Sequence, residues 1–216
     1  MRFGSTLPSL VVVLATVLGV ASARADTVGE WRFKVLLDGS PIGQQTFRLV
    51  QDGARQRMTT EASMDVKILF VTVYSYRHKN AETWENGCLA SIDSGTDDNG
   101  TKFVVHGKRE GDAFVVTSGT MRAPLPACVH TFAYWDPAKL EQTNLLNSQT
   151  GEYQAVRFLE LGQETVRSRE REQRARHVGL EGPELRIDLW YAVSDGDWLA
   201  LESKSKGGRT IRYERE

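Results

Sequence analysis

The chain has 216 residues, 25% of them charged, and a formal net charge of −1 at pH 7. A balance so close to neutral offers no basic surface for nucleic acid and no strong field for an anionic partner. The length fits one domain with its own core.

Read in chain order, the N-terminus comes first. Arg2 gives a positive start, and Leu10 to Ala21 is apolar apart from Thr16 and Gly19. Ala23-Arg24-Ala25 then matches the small-x-small site of a signal peptidase. Residues 1–25 are therefore expected to be a cleaved signal peptide, and 26–216 a single antiparallel β domain. The apolar run falls short of the ~20 residues of a membrane helix, and none of the later runs is longer, so no transmembrane span is expected after cleavage. No cysteine near the cut would carry a lipid anchor, and no twin arginine precedes it. The expected location is the periplasm.

From Trp31 the hydrophobic period is two. Trp31, Phe33, Val35 and Leu37 alternate with Arg32 and Lys34 up to a turn at Asp38-Gly39. Phe47 and Leu49 resume the pattern, and Asp52-Gly53 turns it into Met58, Thr60, Ala62, Met64 and Val66. Ile68 to Tyr74 reads as a strand apolar on both faces, which needs cover from a helix, a second layer or a ligand. Asp98-Asn99-Gly100 predicts a hairpin between Ile92 and Phe103. Glu110-Gly111-Asp112 turns Phe103 and Val105 back into Phe114 and Val116. Asp136 to Leu146 is the one helix candidate, with Asp136 as cap, Pro137 in the first turn and Leu140, Leu145 and Leu146 as its apolar side. Arg167 to Arg176 is polar on both strand faces and predicts a protruding hairpin of open register. Leu185, Ile187, Leu189, Tyr191 and Val193 form the clearest strand, followed by Trp198 to Leu201 and by Ile211 and Tyr213. The expected fold is all-β: one curved antiparallel sheet or open half-barrel of about ten strands, with a short helix as plug or lid.

Two cysteines, Cys88 and Cys128, form an even pair in an exported chain and are expected to bridge. Closing a loop of that length stabilises by roughly 3–4 kcal/mol in the chain-entropy model.

Four segments occur together and in order: DGSPIGQQTFRL from Asp38, YSYRHKNAETWENGCLASIDSGTDDNG from Tyr74, FAYWDPAKLEQTNLLNSQTGEY from Phe132 and LRIDLWYAVSDGDWLALES from Leu185. As a set they resemble an exported bacterial family known as domain of unknown function 6134, over about Trp31 to Tyr213. The resemblance implies no activity and no catalytic residue. It is also similar, in architecture alone, to the half-barrel carriers that shelter lipid chains, and fold does not fix function.

Chemistry is sparse. There is no Gly-x-Ser-x-Gly elbow and no His-Glu-x-x-His helix. The four histidines, His78, His106, His130 and His177, show no metal-ligand spacing. Asp93, Asp97, Asp98 and Asn99 lack the spacing and bidentate Glu of a calcium loop. Asp136 could pair with Asp188 or Glu82 as glycosidase carboxylates, yet Asp136 is already explained as a cap. No metal, cofactor or catalytic residue is assigned. Among the five tryptophans, Trp31, Trp84, Trp135, Trp190 and Trp198, Trp31 and Trp198 read as core. Trp135 and Trp190 are open between core and contact surface. The expected function is a non-enzymatic binding or carrier protein for a lipid-like ligand, contacted by Phe132, Tyr134, Trp135, Leu140, Asn147 and Phe70. The alternatives are a structural or assembly partner of an envelope protein, or a hydrolase of an envelope polymer.

Overall fold

Alternating side chains and tight polar turns produce hairpin after hairpin. In the computed structural model, residues 26–204 and 207–216 are described; the expected signal peptide, 1–25, lies outside them. The first run comprises β1 (Asp26–Leu37), β2 (Ser40–Asp52), β3 (Arg55–Ile68), β4 (Val71–Glu85), β5 (Cys88–Asp98), β6 (Thr101–Glu110), β7 (Ala113–Ser118) and β8 (Met121–Leu125). Two short strands follow, β9 (Asn144–Leu146) and β10 (Tyr153–Ala155). The last run is β11 (Arg157–Ser168), β12 (Arg171–Gly182), β13 (Leu185–Ala192), β14 (Trp198–Lys204) and β15 (Thr210–Arg215).

Thirteen strands make one curved antiparallel sheet, ordered β11-β12-β13-β14-β15-β1-β2-β3-β4-β5-β6-β7-β8 and not closed into a barrel. The all-β half-barrel is therefore observed, with fifteen strands among the described residues rather than ten. β1 and β15 pair in mid-sheet, Phe33 opposite Arg215 and Leu37 opposite Ile211. The connection from β8 to β11 therefore has to travel from one sheet edge to the other. It does so as a strap across the concave side, and its Val129, Ala133, Leu140, Leu145 and Leu146 are buried.

The turns at Asp38-Gly39 and Asn99-Gly100 have positive φ at both positions, the geometry that matches strand twist. Two expectations fail. First, no helix spans Asp136–Leu146. Asp136 does cap, accepting from the Ala138 N–H, but only the single 3-10 turn Pro137–Lys139 follows. Leu145 and Leu146 instead lie in β9, paired with β10, and adjacent residues of a strand point opposite ways. Leu145 enters the core cluster of Phe33, Phe47 and Trp198, while Leu146 enters that of Trp84, Ile92 and Phe114. The strap is thus the plug, built as irregular chain and a two-stranded ribbon.

Second, Ile68 to Tyr74 is not one covered strand. It is a hairpin tip, with Ile68 opposite Val71 and the turn at Leu69-Phe70. Leu69 is 88% exposed and Phe70 98%. Leu69 takes a φ of 56°, a conformation that side chains other than Gly, Asn and Asp rarely supply. The 157–182 hairpin has a defined register, Ser168 opposite Arg171 and Gly162 opposite His177, with a bulge between Glu160 and Gly162.

Candidate functional site

The inward residues of β4 run Tyr74, Tyr76, His78, Asn80, Glu82 and Trp84, one at every second position. Burial deepens along the row, from half-buried Tyr74 and Tyr76 to fully buried Trp84. Opposite His78 stands Thr96 of β5, and opposite Asn80 stand Thr60 of β3 and Ser94 of β5. The concave side therefore carries a polar stripe beside its apolar core.

Between this stripe and the strap lies a cavity of about 780 Å³. Phe47, Met58, Ile187, Trp198, Leu201 and Tyr213 form apolar wall. The strap contributes Phe132, Tyr134, Trp135 and Asn147, and the stripe contributes Thr60, His78, Asn80 and Glu82. Of the residues expected to touch a ligand, Phe132, Tyr134, Trp135 and Asn147 thus come together on one cavity. Leu140 is fully buried in the core instead, and Phe70 stands at the hairpin tip away from the cavity lining.

The strap is fastened to the sheet at several points. Cys88 and Cys128 are disulfide-bonded with Cα atoms 5.0 Å apart, and the Leu89 N–H donates to the Val129 carbonyl beside them. The Tyr191 hydroxyl donates to the Tyr134 carbonyl at 2.7 Å. At the other end, the Tyr76 hydroxyl donates to Gln149 Oε1 and Gln149 Nε2 donates to Asp98, which also accepts from Tyr74 of β4 at 2.6 Å. Asn147 organises that turn by accepting from the Gln149 and Thr150 N–H groups.

Electrostatics inside are muted. Burial pushes the His78 imidazole down to about 4, so it is neutral at pH 7, with Nδ1 2.8 Å from Thr96 Oγ1. Glu82 is 4% exposed, and burial raises its carboxyl above the usual range although Asn80 Nδ2 and Trp84 Nε1 both donate to it. Burial likewise pushes the Tyr213 phenol up to about 12. Two buried polar atoms of lining residues have no hydrogen-bond partner among the described residues: the acceptor Asn80 Oδ1 and the donor Trp135 Nε1. An unpaired buried polar group costs about 1–3 kcal/mol.

The other candidates resolve into structural parts. Asp136 bonds Lys139 at 2.7 Å, and Lys139 lies over the rings of Trp84 and Trp135. Asp188 sits instead with His177 at 2.9 Å, away from the cavity lining. Asp97 accepts from the Gly100 N–H, so the Asp-Asn-Gly segment is a hairpin turn. Trp190 is 7% exposed, stacked on His177 and packed with Val166, Ala175 and Leu199 in a separate cluster. The polar stripe is what sequence reasoning missed.

Among curated proteins, none matches the sequence significantly. Among solved structures, a β-barrel-like protein of domain of unknown function DUF1849 from Brucella abortus superposes with a TM-score of 0.63 at 10% identity. That match covers 87% of this chain and 94% of the other, and it shows a shared fold. A DUF1329 family protein from Desulfovibrio piger aligns over 76% of this chain and 84% of its own, at 11% identity and a TM-score of 0.33. The family model described as Domain of unknown function (DUF6134) matches residues 33–216, and the chain belongs to that family.

Proposed function

We propose that this is a non-enzymatic binding or carrier protein of the periplasm that holds one amphipathic, lipid-like ligand between sheet and strap. The observation that carries the reading is the cavity itself. It has apolar walls, a volume of about 780 Å³ and a polar stripe of Thr60, His78, Asn80 and Glu82 along one side. The volume lies within the ~300–1,000 Å³ of small-molecule sites. The charges on the lining also favour a neutral head, such as an amide or hydroxyl. Glu82 and Asp98 are acidic, and Arg209 is already paired with Asp38 at 2.7 Å. Among the described lining residues, an anionic head would meet carboxyl groups and a guanidinium already paired.

The disulfide supports an oxidising compartment. The absence of enzymatic activity is part of the proposal: His78 is the imidazole on the cavity, and its hydrogen bond to Thr96 and its low pKa favour holding over proton transfer.

Native mass spectrometry of the mature, disulfide-intact protein, purified without detergent, tests this. The expected result is a bound small molecule of lipid-like mass. Trp135→Ala removes a ring of the strap's wall and is expected to lower ligand occupancy by roughly tenfold. A protein that arrives empty and stays empty when incubated with neutral acyl amides or alcohols ends the carrier reading.

A further inference from the structure

The β3–β4 hairpin outruns its neighbours. β2 pairs with β3 only as far as Met64, and β5 pairs with β4 only as far as Tyr76. Beyond Ser75, whose carbonyl still accepts from the Asn99 N–H, the backbone of residues 65–74 pairs only across the hairpin itself, forming an arm that reaches about 13 Å past Met64. Its end is Ile68-Leu69-Phe70-Val71, four consecutive apolar side chains, all exposed. No ionisable residue occurs from Ile68 to Val73.

From this geometry we infer that the arm inserts its tip into a lipid bilayer and brings the cavity to the membrane surface. Three features select a bilayer over a second protein. Leu69 and Phe70 project from a two-residue turn at the end of a two-stranded arm. A fluid acyl phase wraps such a point, whereas a protein partner would need a fitted pocket. Behind the tip the arm changes character within one residue pair, to Lys67 opposite Thr72 and then Val66 opposite Tyr74. Lys67 can extend its ammonium to the headgroup level while its stem lies along the apolar tip. The apolar part beyond Lys67 spans about 7 Å, within the 5–10 Å depth of interfacial insertion. Finally, Val66, Val73 and Tyr74 at the base of the arm line the cavity. The same hairpin therefore joins the tip to the chamber wall, and a docked tip sets the cavity beside the lipid. The inference concerns membrane docking and stands whether or not the cavity holds a lipid.

The test is flotation of the mature protein with vesicles of pure phosphatidylcholine and of phosphatidylcholine with phosphatidylglycerol. The protein is expected to float with both, since apolar contact drives the binding. Leu69→Asn keeps a residue that tolerates positive φ, and Phe70→Ser removes the ring. Each is expected to weaken vesicle binding by about tenfold with an unchanged melting temperature. Wild type that stays in the aqueous phase with both vesicles overturns the inference. So do variants that float as well as wild type. A wild-type dimer in sedimentation that the variants dissolve also overturns it, by assigning the tip to a second copy. Native mass spectrometry reads the ligand separately, so failure of docking and failure of the carrier reading are distinguishable.

Discussion

At the scale of single residues, His78 and Glu82 place opposite pH dependences side by side in the stripe. Burial lowers the His78 pKa from 6.5 to about 4, so the unfolded chain takes up a proton at a pH where the folded protein refuses it. The stability that follows is fully present above pH 6.5 and is lost as pH falls towards 4, by about 3 kcal/mol in all. Glu82 has the reverse sign, because its raised pKa makes the folded state the better proton acceptor. Its contribution is present at acid pH and declines as pH rises beyond the usual Glu range. His78→Gln should therefore lose less stability than wild type between pH 7 and pH 4, by about 2–4 kcal/mol, in urea melts at the two values. Parallel behaviour of the two proteins across that interval would rule out His78 as the group responsible. Neither residue was conspicuous in the sequence. The period of two in β4 is plain, but a polar row is ordinarily assigned to solvent, and Arg77 and Lys79 on the opposite face gave no contrast. Only the strap lying over the row reveals that Thr60, His78, Asn80 and Glu82 face inwards.

At the scale of elements, the strap rests on its staple. Cys88 opens β5 and Cys128 lies just before the buried Val129, so the disulfide ties the strap's entry to the sheet floor beneath it. Under oxidising conditions Cys88→Ser should cost about 2–4 kcal/mol. For a domain of this size that lowers the melting temperature by roughly 5–15 °C. A melting temperature indifferent to reduction of the wild type would show that the strap is held without it. The pairing was legible because two cysteines leave one partner each. The strap's conformation was not. Leu140, Leu145 and Leu146 have a helix-like spacing, and Asp136-Pro137 is a true helix start. What overrides them is the turn from Asn147 to Gly151, which folds Tyr153–Ala155 back onto Asn144–Leu146 and claims their backbone hydrogen bonds. The hairpin turns tell the same story. Asp38-Gly39 and Asn99-Gly100 announce themselves because both residues tolerate positive φ. Leu69-Phe70 and Arg169-Glu170 turn equally sharply with none of that chemistry.

For the molecule as a whole, the order of strands decides which parts are indispensable. The sheet grows outwards from β1 to the edge strand β8, is crossed by the strap, and grows back from the edge strand β11 to β15. The last strand therefore closes a seam in the middle of the sheet. β15 pairs on one side with β1 and on the other with β14, and Tyr213 faces Val35 and Leu201 across those two ladders. Removing an edge strand would shorten the sheet, whereas removing β15 splits the two meanders and opens the core of Phe33, Phe47, Trp198 and Leu201 to water. A chain ending at Lys204 is accordingly expected to show no cooperative thermal transition by circular dichroism and to aggregate on refolding. A truncated chain that melts cooperatively within a few degrees of the full one would mean that the strap alone holds the two meanders together. The same topology makes the β1–β15 ladder the latest to form, since its partners lie at opposite ends of the described chain and closing so long a loop is slow. The cavity borders that seam through Leu37, Ile211 and Tyr213, so its wall is complete only once β15 has docked.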